Sequence, residues 1–175
     1  AQMAARLEQM PPPADACRIR SPPPAPDMTD VPPLILLPPS EKKATGGAGV
    51  PWHGAGQSFP DLDEARREVI DALVDAMGCP IEARTKLLGV GAARADEATA
   101  ANLSIDTAPT MPAIGRYTGV LYDALDAGSL PAHLRKRLDE QVVVFSGLWG
   151  AVRPSDPIPD YKLKMCAPLP GLGTG

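Results

Sequence analysis

A mixed α/β fold is what this sequence predicts, and three observations predict it. Two short apolar runs, Leu34-Ile35-Leu36-Leu37 and Val142-Val143-Val144-Phe145, are too short for helices and read as buried strands. Several segments between them repeat their apolar residues at helical spacing. The connection is long enough for the two strands to pair in parallel inside a layer of helices and sheet. Two strands alone make a poor sheet, so further strands are expected in irregular segments, or part of the domain lies beyond Gly175.

The chain has 175 residues, which corresponds to one domain. Residues 1–33 hold nine prolines and no sustained apolar period. Such a segment cannot bury enough apolar surface to offset its ordering entropy, so it reads as a disordered or polyproline-like extension. A Pro-rich ligand for an SH3-type module is the alternative. Met28 stands just before the first apolar run and is the expected natural start of translation.

The folded part begins at residue 34. Pro38-Pro39 must end the first strand, because proline cannot donate to a ladder. Ser40-Glu41-Lys42-Lys43 follows, then a glycine-rich loop from Thr45 to Gly56. Asp61 to Met77 is the clearest helix: Leu62, Ala65, Val69, Leu73 and Met77 share a face, widened by Ile70 and Val74. Asp61 and Glu64 have capping-box spacing, and Gly78 marks the stop. The charges of this helix read as a solvated face. A further helical region runs from near Pro112 through Ile114, Tyr117, Val120, Leu121 and Leu125 to Gly128. A short basic helix spans Pro131 to Glu140, with proline where a missing N–H costs least. The second strand follows, then a helical or turn segment, Pro154 and a proline-punctuated tail.

Composition narrows the function classes. Net charge is −4, which argues against a wholesale basic coat for nucleic acid but leaves room for a local patch. Cys17, Cys79 and Cys166 have neither zinc spacing nor a redox pair and read as reduced, mostly packed thiols. No signal peptide and no membrane-spanning run is present, so the protein reads as soluble and cytoplasmic, with no membrane partner. No cofactor and no metal site is expected.

Four stretches could carry chemistry, one of them the loop Asp156 to Met165 with Asp156, Asp160, Tyr161, Lys162 and Lys164, whose charges read either as part of a site or as solvated. Gly89-Val90-Gly91 lies between two helical patterns and resembles the turn of a helix-hairpin-helix DNA-binding element. Its glycines let backbone N–H groups face a phosphate, and the next helix N-terminus favours negative charge. Lys86 and Arg94, with Arg84, flank it and could add phosphate contacts. The blander reading is that two glycines break one helix and start another. The stretch Ser146-Gly147-Leu148-Trp149-Gly150 fits neither a nucleophile elbow nor a P-loop. His53 and His133 have nothing in the sequence to orient them as a base, so serine-hydrolase chemistry is disfavoured. That turn reads either as a seat for an anion, with Arg153 as a bidentate partner, or as tight packing around Trp149. Gly115 and Gly119 would press one helical face against another backbone or a ligand, with Arg116 and Tyr117 at its rim.

Taken together, LILLPPSEKK (34–43), PAIGRYTGVLYDAL (112–125), FSGLWGAVRPSDPIPDYKLKM (145–165) and PLPGLGTG (168–175) resemble the bacterial YaaA family of peroxide-stress proteins. The resemblance covers about residues 34 to 175 and implies a mixed α/β fold of the family's own. It also implies a cytosolic role in surviving hydrogen peroxide, associated with low free iron, DNA binding through a helix-hairpin-helix element and a positively charged cleft. It implies no established reaction. Its motif positions here are Ser40 and Lys42, then Arg116, Tyr117 and Gly119. Ser146, Gly147, Gly150, Arg153, Asp156, Tyr161 and Lys162 complete them. Lys162 stands where many members have arginine, which keeps the charge and loses the planar fork. Members continue past the Pro-Gly-Leu-Gly segment and lack a Pro-rich front, so the chain reads as C-terminally truncated. Two functions follow as expectations: duplex or branched DNA binding at Lys86, Gly89, Gly91 and Arg94, or an uncharacterised enzyme or ligand-binding domain whose cationic cleft joins Lys42, Arg116, Ser146 and Arg153 around a phosphate or nucleotide.

Overall fold

The computed structural model describes residues 32–54 and 56–172. The readings of residues 1–31, including Cys17 and Met28, lie outside the described residues, as do positions 173–175; Cys79 and Cys166, expected to be packed, are exposed.

Two small sheets organise the chain. Strand β1 (Ile35–Leu37) lies parallel to β3 (Val142–Ser146), pairing Ile35 with Val142 and Leu37 with Val144. The parallel pairing read from the two apolar runs is therefore present. The segment after β3 is a strand and not a helix: β4 (Gly150–Val152) folds back antiparallel, with Ser146 opposite Gly150. A second pair joins β2 (Met111–Pro112) to β5 (Pro157–Ile158). These are the expected hidden strands, and they are short because prolines interrupt both.

The sheet order β1-β3-β4 puts β3 in the centre. Val142, Val143 and Val144 are buried accordingly. In contrast, Leu34, Ile35 and Leu36 are about half exposed, against the expectation of a buried run. Both strands are apolar on both faces; only the central one is covered on both by the described residues.

Helices fill the connection: α1 (Asp63–Ala76), α2 (Ile81–Leu88), α3 (Ala92–Leu103), α4 (Ala113–Arg116), α5 (Val120–Leu125) and α6 (Ala132–Gln141). A 3-10 turn over Pro60–Leu62 leads into α1, so Asp61 sits before the helix and makes no capping-box bond. Ile70, Leu73, Ala76 and Met77 of its stripe are buried. They join a core with Leu88, Ile105, Tyr117, Leu148, Trp149 and Ile158. Trp52 meets Trp149 edge-on, with ring centroids 5.3 Å apart.

The helix expected from Pro112 to Gly128 is two helices. Tyr117 is extended and bridges antiparallel to Lys43, and Gly119 has φ 108°. Ala44 N–H donates to Arg116 O (2.8 Å) and Thr118 N–H to Lys42 O (3.1 Å). The chain has exchanged helical bonds for strand-like ones, and Gly119 supplies a backbone turn that other residues rarely adopt. Gly115 and Gly119 consequently share no helical face. A Cβ at Gly115 would meet nothing within 4 Å, so the expected pressing of that glycine against a backbone is not observed.

Arg66 on α1 was expected on a solvated face, yet it is 1% exposed. Its Nε donates to Trp149 O (3.0 Å), and Nη2 donates to Ser58 O (2.9 Å) and Ala151 O (2.8 Å). Asp63 pairs with Nη1 at 2.6 Å. One guanidinium thus ties α1 to the β3–β4 hairpin and to the loop before the helix, and satisfies carbonyls that would otherwise be buried unpaired. Removing a donor from buried partners costs their desolvation. Arg66→Leu is therefore expected to lower the unfolding free energy by about 3–5 kcal/mol. Arg67→Leu, on the more exposed side of α1, should cost less than about 1 kcal/mol. Urea unfolding of the two variants beside the parent measures the difference.

Candidate functional site

The turn after β3 is held by its own backbone and by protein neighbours. Ser146 Oγ accepts from Leu148 N–H (3.2 Å) and Trp149 N–H (3.1 Å), capping the hairpin inside the core. Gly147 is there for close approach: a Cβ would lie 3.0 Å from Met165 Cα and 3.1 Å from Lys164 O. Gly150, at φ 69°, closes the hairpin. The cation against this turn is Arg66. Arg153 points elsewhere, donating from Nη1 to Glu140 O (3.0 Å) and Val142 O (3.1 Å) where α6 runs into β3. Buried Asp156 accepts from Arg153 N–H (2.8 Å), Ser58 N–H (3.1 Å) and Ser58 Oγ (2.8 Å). Of the two readings of this turn, the geometry is that of packing, and the anion seat with Arg153 as its wall is not formed.

Arg116 and Tyr117 are likewise inside and not at a rim. Arg116 is fully buried and donates to carbonyls of Ala44, Gly46 (2.8 Å) and Ile158 (3.2 Å), fastening the glycine-rich loop to β5. Burial lowers its pKa, with Asp160 opposing the shift. Tyr117 joins a chain of hydroxyls: its OH lies 2.9 Å from Tyr161 OH, which lies 2.9 Å from Ser146 Oγ. Burial raises both phenol pKa values, so the two tyrosines are neutral. Ser40 and Gly119 meet across the start of α5, where a Cβ on Gly119 would come 3.4 Å from Ser40 Oγ.

Above this buried chain opens a cavity of about 510 Å³. Three stretches far apart in sequence line it together, with Thr118. Glu41, Lys42, Lys43 and Thr45 come from the segment after β1, and Asp160, Tyr161 and Lys162 from the segment after β5. Gly89, Val90, Arg94, Glu97, Ala98 and Ala101 come from the α2–α3 turn and from α3. The lining therefore carries four cations and three carboxylates. Asn102 fixes one wall: its Nδ2 donates to Lys162 O (2.9 Å), and its Oδ1 accepts from Lys162 N–H (2.7 Å). A side-chain amide here does the work of a strand partner.

Lys43, absent from the sequence-derived candidates, is the innermost cation. Its backbone is locked to Tyr117, and its Nζ sits 4.1 Å from the Tyr161 ring centroid and donates to Ser40 O (3.2 Å). Among the described residues no carboxylate lies within salt-bridge distance of it. Burial, then repulsion from Lys162, brings its pKa down to about 8, against partial opposition from Asp160 and Glu41. Lys162 instead reaches Glu41, with Nζ 3.2 Å from its carbonyl and 3.8 Å from Oε2. The only signal for Lys43 in the sequence was its place beside Lys42.

The α2–α3 turn is short, and its helices pack on each other. Gly89 is left-handed (φ 64°) and caps α2, while Gly91 precedes α3 in extended conformation. A Cβ at Gly89 would collide with the end of the Lys164 side chain, so this glycine makes room for an ammonium beside the turn. Arg84 is spent within the pair, donating to Thr99 Oγ1 (2.8 Å). Lys86, Gly91 and Arg94 are exposed. His53, which the sequence left without an orienting group, has two: Asp106 Oδ1 is 3.3 Å from Nε2, and Arg67 Nη2 is 2.9 Å from Nδ1. Among the described residues no three His, Cys, Asp or Glu side chains form a metal-ligand group. No helix is long and apolar enough to cross a membrane among them either.

Comparison with known proteins places the chain. The family described as "Peroxide stress protein YaaA" matches residues 34–174. A UPF0246 protein of Streptomyces coelicolor is 46% identical over 140 residues, covering 80% of this chain and 54% of that protein. A UPF0246 protein of Corynebacterium glutamicum is 43% identical over 137 residues, covering 78% of this chain and 53% of that one. An uncharacterized protein of Campylobacter jejuni is 29% identical over 136 residues, 77% of this chain and 54% of its own length. The chain belongs to the YaaA peroxide stress protein family. It spans about half the length of these curated relatives.

The shifted lysine makes a pH prediction. Folding depresses the Lys43 pKa to about 8, so between about pH 8 and 10 the unfolded chain binds more protons and stability rises with pH. Below about pH 8 both states are protonated and the full cost of burying the charge remains. Lys43→Met is accordingly expected to melt above the parent near pH 7, and that advantage should shrink by about pH 9.5. Paired thermal melts at the two pH values check the sign.

Proposed function

We propose that this member of the YaaA family serves the peroxide stress response in the cytosol by binding the phosphate backbone of duplex or branched DNA at the cationic cavity. The observation that supports this is the sharing of one cavity by the Gly89–Arg94 turn and by Lys42, Lys43 and Lys162. The N-terminus of α3 beside this turn, with several ammonium groups in the same lining, suits a phosphodiester. The three carboxylates in the same lining favour engagement of a few phosphates over a broad basic track. Lowering of free intracellular iron belongs to the same proposal as a cellular outcome. It is measured as chelatable iron in cells with and without the protein after peroxide.

A second reading, a free phosphate or nucleotide ligand, draws on the cavity's size. At about 510 Å³ it suits one small molecule, and Lys43 is withdrawn from bulk solvent within it. Calorimetric titration with inorganic phosphate and with nucleotides separates this reading from the first.

For DNA, anisotropy titrations of the full chain across a salt series are decisive. If about three phosphates are neutralised, the slope of log affinity against log salt is near −3. Lys42→Glu and Arg94→Glu should each weaken binding by about tenfold or more and flatten the slope by about 1. Arg153→Ala, remote in its bonding from the cavity, should leave both unchanged. Equal losses in all three, or a salt-independent affinity, would count against the cleft.

A further inference from the structure

Lys43 has a property that phosphate binding does not need. A simple anion-binding lysine is best left charged and reachable, like Lys42. Lys43 is instead drawn inward, seated on the Tyr161 ring at 4.1 Å and anchored to Ser40 O, with no carboxylate of the described residues within salt-bridge distance. The groups facing it are Lys162 and Arg116, which oppose its charge, Asp160 and Glu41, which favour it, and two neutral phenols. The cavity it faces also holds Lys42, Lys162 and Arg94, and a carboxylate, Asp160. A nucleophilic amine, separate cations for a phosphate and an acid–base group therefore share one space.

We infer that Lys43 forms an imine with an aldehyde that is carried next to a phosphate, held in this cavity by Lys42, Lys162 and Arg94. The inference rests on the reading of the cavity as a phosphate site. In the first step the neutral Nζ lone pair attacks the carbonyl carbon, the C=O π bond opens, and a proton passes from nitrogen to oxygen to give a carbinolamine. Nζ then gives up its remaining proton, the C–O bond breaks, and water leaves with the C=N bond formed. No oxidant or reductant takes part, and we assign the proton relay to Asp160, a carboxylate of the same lining whose charge acts on Lys43. With the Lys43 pKa at about 8, roughly a quarter of the amine is free at pH 7.5, far more than for an ordinary lysine. An aldehyde beside a phosphate has two sources: the ring-opened sugar of an abasic site in DNA, or a free sugar phosphate.

Borohydride trapping tests this on the full chain in two arms, one with a duplex carrying a single abasic site and one with glyceraldehyde 3-phosphate. Reduction turns an imine into a stable secondary amine, whose position peptide mass mapping reads. The expected result is an adduct on Lys43 in at least one arm, with a yield that rises as pH passes through about 8. Lys43→Arg keeps the charge, lacks the nucleophile, and should reduce the adduct at least about tenfold. Mapping on the parent chain decides the matter even where that variant folds poorly. Adducts only on Lys42, Lys162 or surface lysines, or none in either arm, overturn the inference. An intact duplex titrated in parallel separates the two claims: DNA binding without trapping removes the imine alone. Trapping of the small aldehyde without DNA binding removes the DNA reading and keeps the imine.

Discussion

One guanidinium sets the geometry of this fold. Arg66 enters the core from α1 and donates to the carbonyls of Trp149, Ala151 and Ser58, with Asp63 at its outer edge. The β3–β4 hairpin needs that donor, because its turn packs against backbone at Met165 and buries Trp149. Arginine suits the task where lysine would not: its fork supplies several fixed donors, and it stays charged when buried. With α1, the hairpin and the preceding loop tied at one point, the positions of Ser146 and Tyr161 follow.

Arg116 repeats the device on the other side. It holds the carbonyls of Ala44, Gly46 and Ile158, and so joins the glycine-rich loop to the second sheet. Between the two arginines runs the hydroxyl chain Tyr117–Tyr161–Ser146. Of the motif residues, Arg116, Tyr117, Ser146, Asp156 and Tyr161 are thereby a buried scaffold of polar side chains, each with a hydrogen-bond partner. Their work is to set the floor of the cavity. The groups that can meet a ligand lie one layer out, on Lys42, Lys43, Lys162 and Arg94.

The cavity also accounts for several departures from regular structure. The helix predicted from Pro112 breaks at Tyr117 so that Lys43 and Tyr117 can bridge, which fixes the lysine backbone. Asn102 pairs with both polar backbone groups of Lys162, doing for that segment what a strand would do. Gly89 clears space for the end of Lys164 beside the α2–α3 turn. Each local cost is met by a contact that holds a cation near the same space, which is the pattern expected where a site and not packing sets the backbone.

The sequence by itself determined the strands at 34–37 and 142–145, the helix starting near residue 61 and the family, and it permitted the parallel pairing of the two strands. These are local or pattern-level properties: apolar periodicity, β-branched runs, proline stops and motif order are carried by neighbours in the chain. It also pointed to Lys42, Lys162, Gly89 and Arg94 as pieces of sites. Only the tertiary structure decided that these four line one cavity, that Arg66 and Arg116 are buried, and that Arg153 and Ser146 are spent on backbone. A charged residue on a helix reads as solvated because its burial depends on carbonyls supplied from 83 or 85 residues away. Lys43 was invisible for the same reason. Its depressed pKa arises from burial beside Tyr161 and from Lys162, and only folding brings those groups to it.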